Sequence, residues 1–165
     1  MEPAQLLLSA IGVAFVLVVL WLVLSRLQRR HILPYTRQRS LLTTGELRFY
    51  SVLLRVVPPG MAVFVKVRLM DMVTVPDYAW ATYGAPGCGM HLDFVLAEAV
   101  GVEPRMVIEL DDRSHSRPQA RERDAFKDTA LASAGVPVLR IKVAARYDEA
   151  NLREQIAAAL SKYHQ

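Results

Sequence analysis

Carboxylates crowd the end of an apolar run between Met106 and His115, which reads M-V-I-E-L-D-D-R-S-H. Met106, Val107 and Ile108 suit a strand. Side chains on a strand alternate between faces, so Glu109 and Asp111 point one way and Leu110 the other. Two carboxylates side by side offer the oxygen ligands that a hard divalent cation prefers. They also repel, since unit charges about 4 Å apart cost roughly 4 kcal/mol at an effective dielectric near 20. A bound cation, a raised pKa or plain solvation relieves that cost. An acidic turn capping the next helix is the alternative reading of the same residues, and Asp112 fits such a cap. A further carboxylate, Asp93, interrupts the apolar run H-L-D-F-V-L at 91–96. Asp93, Glu109 and Asp111 could supply two or three oxygen ligands to Mg²⁺ or Mn²⁺, with water and substrate completing the shell. A cation so held acidifies a water and neutralises phosphoryl oxygens, which is what phosphodiester hydrolysis requires. His115, whose ordinary pKa is about 6.5, could move protons at neutral pH.

The elements that would position these groups can be read in order. Thr43 or Thr44 caps a helix running to about Val57, with Glu46 near its start, and Pro58-Pro59-Gly60 stops it. From Ala62 to Leu69 the chain alternates, which predicts a strand with Phe64, Lys66 and Arg68 on one face and Val63, Val65, Val67 and Leu69 on the other. Residues 70–89 are broken by Pro76, Gly84, Pro86, Gly87 and Gly89. Strands at 91–96 and 106–111 pair as a hairpin across a turn near Gly101–Pro104. A helix follows over 118–134, with Gly135 where its C-cap belongs. A short strand at 136–141 and an amphipathic helix at about 148–163 complete an α/β domain with a mixed sheet.

This order of helix, three strands, helix, strand, helix, with an acid on the second strand and E-x-D on the third, resembles the core of the PD-(D/E)XK nuclease superfamily, a restriction-endonuclease-like fold. More closely, H-x-D-F-V-L, then I-E-L-D-D-x-S-H, R-x-x-D and V-L-R-I resemble a family of uncharacterised bacterial domains. These are related to the very-short-patch repair endonucleases and are often found behind an N-terminal transmembrane helix. The resemblance covers about Leu41 to Ala158. It implies that Asp93 and Glu109 are metal-binding acids and Glu46 an accessory acid. The superfamily usually places a Lys two residues after the third-strand acid, and here that position is Asp111. Relatives of the E-x-D-x-x-x-H form carry the same swap, so His115 or a basic side chain from elsewhere would take over. Lys66, Arg68 and Arg140 are candidates for that role.

The rest of the composition bears on where such a domain would sit. Residues 6–24 carry no charge and no Pro, and about 19 helical residues reach roughly 28 Å, close to a bilayer's hydrocarbon core. This predicts a transmembrane anchor over residues 1–25 and a basic juxtamembrane linker over 26–40, ahead of a nuclease-like domain at 41–165. Arg26, Arg29, Arg30, Arg37 and Arg39 follow the apolar run and none precedes it. The positive-inside rule then places the protein in the inner membrane, N-terminus out and the domain in the cytoplasm. The lone Cys88 excludes a multi-Cys zinc cluster within the chain. From Ser40 onward 15 Lys and Arg balance 15 Asp and Glu, so charge does not itself argue for nucleic acid. The expectation is therefore a membrane-anchored, Mg²⁺- or Mn²⁺-dependent endonuclease that hydrolyses nucleic acid, DNA ahead of RNA. A catalytically inactive nucleic-acid-binding or scaffold module is the alternative. Asp93, Glu109, Asp111, His115, Glu46 and Lys66 form the candidate site.

Overall fold

The structure, a computed structural model, describes residues 3–27, 33–111 and 118–161. The chain divides into two compact units, Met1–Gln38 and Arg39–Gln165. The first contains helix α1 (Pro3–Leu27), whose apolar side chains from Ile11 to Leu24 are exposed. Among the described residues no helix is long and apolar enough to cross a membrane. This finding overturns the expected transmembrane anchor at 1–25, together with the inner-membrane, N-terminus-out placement that rested on it.

The second unit holds the α/β domain, and from 44 to 161 its elements follow the order expected. Helix α2 (Thr44–Val56) begins in a capping box. The Thr43 side chain accepts from the Glu46 amide, and the Glu46 carboxylate accepts from the Thr43 amide at 2.8 Å. Both groups are donors that the helix itself leaves without partners. Strand β1 (Met61–Arg68) leads into a connection of short 3-10 and π turns from Leu69 to Gly89. Then come β2 (His91–Glu98), β3 (Pro104–Asp111), α3 (Pro118–Ser133), β4 (Val138–Lys142) and α4 (Glu149–Ser161). Gly135 takes φ +71°, the left-handed conformation that lets the Val136 amide turn back to the Leu131 carbonyl at 2.9 Å and end α3. The sheet order is β1-β2-β3-β4, antiparallel except for the parallel β3–β4 pair that α3 connects.

Helices cover both faces of this sheet, so the unit has two cores. On one side Phe49, Leu53 and Val56 of α2, with Leu152 and Ile156 of α4, pack on Phe94, Leu96, Met106 and Ile108. On the other, Leu131 of α3 packs with Leu69, Leu92, Val95 and Val107. The strict alternation expected for β1 fails at one residue. Val63 and Val65 join the first core, yet Val67 joins the second. The cause is Lys66, whose φ of 54° lies in the left-handed region and reverses the facing of the side chains that follow. β2 shows the same change of face opposite Lys66, for Phe94 and Leu96 lie in the first core and Leu92 in the second. The register passes from Val65↔Phe94 to Val67↔Leu92, with Lys66 and Asp93 between them.

Candidate functional site

Asp93 and Glu109 meet where β2 and β3 stop pairing through their backbones. The ladder between these strands runs to Phe94↔Ile108. Beyond it, the side chain of each strand takes the amide of the other. The Leu110 amide donates to Asp93 Oδ2 at 3.0 Å, and the Asp93 amide donates to Glu109 Oε1 at 3.3 Å. The fork therefore leaves no orphaned strand amide at these two positions, and it fixes the two carboxylates beside each other. A buried amide left without an acceptor would be costly, so this geometry orients both acids firmly.

Each acid also holds a lysine, and the two lysines come from opposite faces of the sheet. Lys66 Nζ donates to Asp93 Oδ1 at 2.8 Å and to Glu46 Oε1 at 2.6 Å. Phe49, three residues along α2 from Glu46, is fully buried against Phe94, which seats the start of α2 over β1 and β2. On the other face Lys127 Nζ donates to Glu109 Oε2 at 2.7 Å, with Asp124 at 3.3 Å. Lys127 and Glu109 are the most enclosed ion pair among those described, with side chains 11% and 9% exposed.

Burial and charge pull these groups in opposite directions. Burial pushes Glu109 upward, Lys127 pulls it down, and with the nearby Asp93 charge the carboxyl ends above the ordinary Glu value. For Lys127 burial favours the neutral amine, but Glu109 and Asp124 outweigh it and hold the ammonium above its ordinary value. Lys66 behaves likewise, raised by Asp93 and Glu46 against burial. Glu46 is pushed up by burial and pulled further down by Lys66 and Thr43, so it ends below its ordinary value. Glu109 is the more deeply buried partner, and its carboxylate is the stressed member of the pair.

The structure thus brings together four of the expected residues, Glu46, Lys66, Asp93 and Glu109. Asp111 shares the Glu109 face as expected, but its Oδ1 accepts from Arg140 at 2.8 Å, and Arg140 also grips Asp128. Of the expected ligand trio, Asp93 and Glu109 meet at the strand fork, whereas Asp111 is engaged by Arg140, which arrives from β4. Among the described residues no three His, Cys, Asp or Glu side chains group so as to hold a metal ion. Two carboxylates still match the donor set of Mg²⁺, which commonly takes one or two and fills the remainder with water and phosphate oxygens. Arg68 turns away to Asp71 and is not available to the site. His115 lies outside the described residues.

Lys127 escaped the sequence reading. Its signal was present: it lies three and four residues before Ala130 and the fully buried Leu131, on the stripe of α3 that faces the sheet. A lysine on such a stripe needs a buried partner. Beside it a cavity of about 220 Å³ is lined by Met90, His91, Arg123, Asp124 and Lys127. Arg123 closes one wall by donating to the Gly89 carbonyl at 3.1 Å.

The chain belongs to the family described as a protein of unknown function (DUF2726), which matches residues 38–160. That span coincides closely with the Arg39–Gln165 unit and carries every residue of the site. No curated protein and no solved structure matches the chain.

Proposed function

We propose that this chain is a nuclease-like, metal-dependent phosphodiesterase acting on nucleic acid, built on a restriction-endonuclease-like core. The observation that carries the reading is the pair Asp93 and Glu109 fixed across a strand fork, with Lys127 bonded to Glu109 and bordering an open cavity. The mixed four-stranded sheet between α2 and α3 supports it, since that layering matches the resemblance noted for the sequence. The kinship with the very-short-patch repair endonucleases belongs to the same proposal.

Asp93 and Glu109 would hold Mg²⁺ or Mn²⁺. When bound, the ion supplies an acidified water and neutralises charge on the phosphoryl oxygens. The chain's own groups do the rest. The Leu110 and Asp93 amides keep the two carboxylates from rotating away from the cation position. Lys127, with an ammonium held above its ordinary pKa, stays protonated at neutral pH and donates to the phosphate oxygen that gains charge in the transition state. It thereby fills the role left open by Asp111, which stands where the superfamily carries its lysine. His91 and Arg123 line the cavity and give the flanking backbone a donor surface. DNA stands ahead of RNA as substrate on the strength of the resemblance.

The test incubates the full-length chain with labelled single- and double-stranded DNA and RNA in Mg²⁺ or Mn²⁺, beside an Asp93→Ala/Glu109→Ala variant. Cleavage that requires metal and disappears in the variant is the expected outcome. One observation favours a second reading, a binding module that does not cleave: each carboxylate already carries a lysine as counter-ion. Metal-independent retention of nucleic acid without cleavage of any substrate would select that reading.

A further inference from the structure

We infer that Lys66 is a built-in counter-cation that competes with the divalent ion for Asp93, so that metal loading displaces its ammonium from the site. The inference rests on the metal-dependent reading above. It begins with the two oxygens of Asp93. Oδ2 is committed to the Leu110 amide at 3.0 Å, and Oδ1 is taken by Lys66 Nζ at 2.8 Å. The same ammonium neutralises Glu46 at 2.6 Å, so one lysine discharges both acids on this side of the sheet. A divalent ion approaching Oδ1 meets a full positive charge within hydrogen-bond range of its ligand.

The backbone indicates that this placement is built rather than incidental. Lys66 adopts φ 54° in the middle of β1, a conformation that lysine rarely takes and that breaks the facing of the strand on either side. An extended Lys66 would share a face with Phe64 and Arg68, both exposed. With the left-handed turn, its side chain is half-buried between Glu46 and Asp93 instead. Lys127 has a different position, because it bonds the far oxygen of Glu109 from the α3 side and leaves Asp93 untouched. Among the described residues Lys66 alone brings a charge to Asp93 Oδ1, the oxygen not committed to the Leu110 amide. It is also the more exposed of the two, 32% against 11%, and so the easier to release.

Two measurements on the full-length chain test this. Calorimetric titration with Mn²⁺ compares wild type with Lys66→Gln, whose amide can still donate to the acids but carries no charge. The variant is expected to bind Mn²⁺ at least about tenfold more tightly, because a unit charge opposing the ion has been removed. The gain should vanish when Asp93→Asn is added. In the wild-type chain, lysine acylation mapped by mass spectrometry should rise at Lys66 as Mg²⁺ is added, while Lys142 stays constant. Equal or weaker Mn²⁺ binding by a folded Lys66→Gln, or Lys66 acylation that does not change as the ion binds, overturns the inference and leaves the metal-dependent reading standing. Absence of Mn²⁺ binding in wild type and variant alike overturns both.

Discussion

Replacing Lys127 by Met strands a carboxylate. In the wild-type chain Lys127 Nζ lies 2.7 Å from Glu109 Oε2, and Glu109 is 7% exposed. Met fills much of the same space without the charge. Among the described residues Glu109 then keeps the amide of Asp93 alone, beside a second carboxylate that raises its cost of ionisation. Breaking a buried pair on one side typically costs about 3–5 kcal/mol. Glu109 has an escape, because it can take up a proton for about 1.4 kcal/mol per unit between the ambient pH and its pKa. The expected loss at pH 7 is therefore about 2–4 kcal/mol, the smaller figure applying if the proton is taken up. The loss should shrink as pH falls, since the proton becomes cheaper and the stranded charge disappears. Adding Glu109→Gln removes that charge outright, and the double variant should return to within about 1 kcal/mol of wild type. Urea unfolding followed by far-ultraviolet circular dichroism at pH 7 and pH 5 reads all three chains. A single variant within about 0.5 kcal/mol of wild type at pH 7 would refute the reasoning, and so would a double variant no more stable than the single.

Two further outcomes follow from the same groups. Glu46 sits below its ordinary value of 4.5 and Lys66 above its ordinary 10.5, so their pairing stabilises fully between those limits. It is lost as pH falls through the folded Glu46 value or rises through the folded Lys66 value. The gap in urea midpoint between wild type and Lys66→Gln should be flat across that window and close at both ends, and a gap that grows at either end would contradict the assignment. Asp111→Asn should leave Mn²⁺ affinity within about twofold of wild type and cost less than about 1 kcal/mol of stability, because Asp111 is engaged with Arg140 at the surface. A tenfold loss of Mn²⁺ affinity would make Asp111 a ligand.

How far the sequence could lead depended on the range of the interaction involved. The start of α2 was legible because Thr43 and Thr44 are cap-forming residues, and the structure selects Thr43, with Glu46 three residues on completing a capping box. The end of α3 was legible because Gly135 carries its own conformational meaning. Asp93 and Glu109 were legible as acids in apolar strands, and the hairpin between those strands fixed their neighbourhood. Alternation misled at Lys66, since a single left-handed residue reverses every facing beyond it and no local pattern announces that turn. The partner of Asp111 was not legible for another reason: Arg140 comes from β4 after the α3 crossover, and Asp128 reaches the same guanidinium from α3. The apolar run near the N-terminus did predict a helix, α1, but among the described residues no helix is long and apolar enough to cross a membrane.

What remains is why a site with two acids at its centre should carry two lysines rather than one. The sheet has a helical layer on each face, and each face brings its own cation to the fork. If both lysines served only to neutralise the acids, either could be replaced by a neutral donor with similar consequence. Their surroundings argue otherwise. Lys127 is enclosed, tied to Glu109 and Asp124, and opens onto the cavity where a phosphate would enter. Lys66 is more exposed, held in a strained backbone, and placed on the oxygen where a cation would bind. A buried, unyielding ammonium suits a charge that must persist through a reaction, because desolvation leaves it no cheaper partner than the site itself. A half-exposed one suits a charge that must leave, because water can receive it. Removing Lys66 should therefore ease metal entry, whereas removing Lys127 should weaken the fold and the proposed chemistry together.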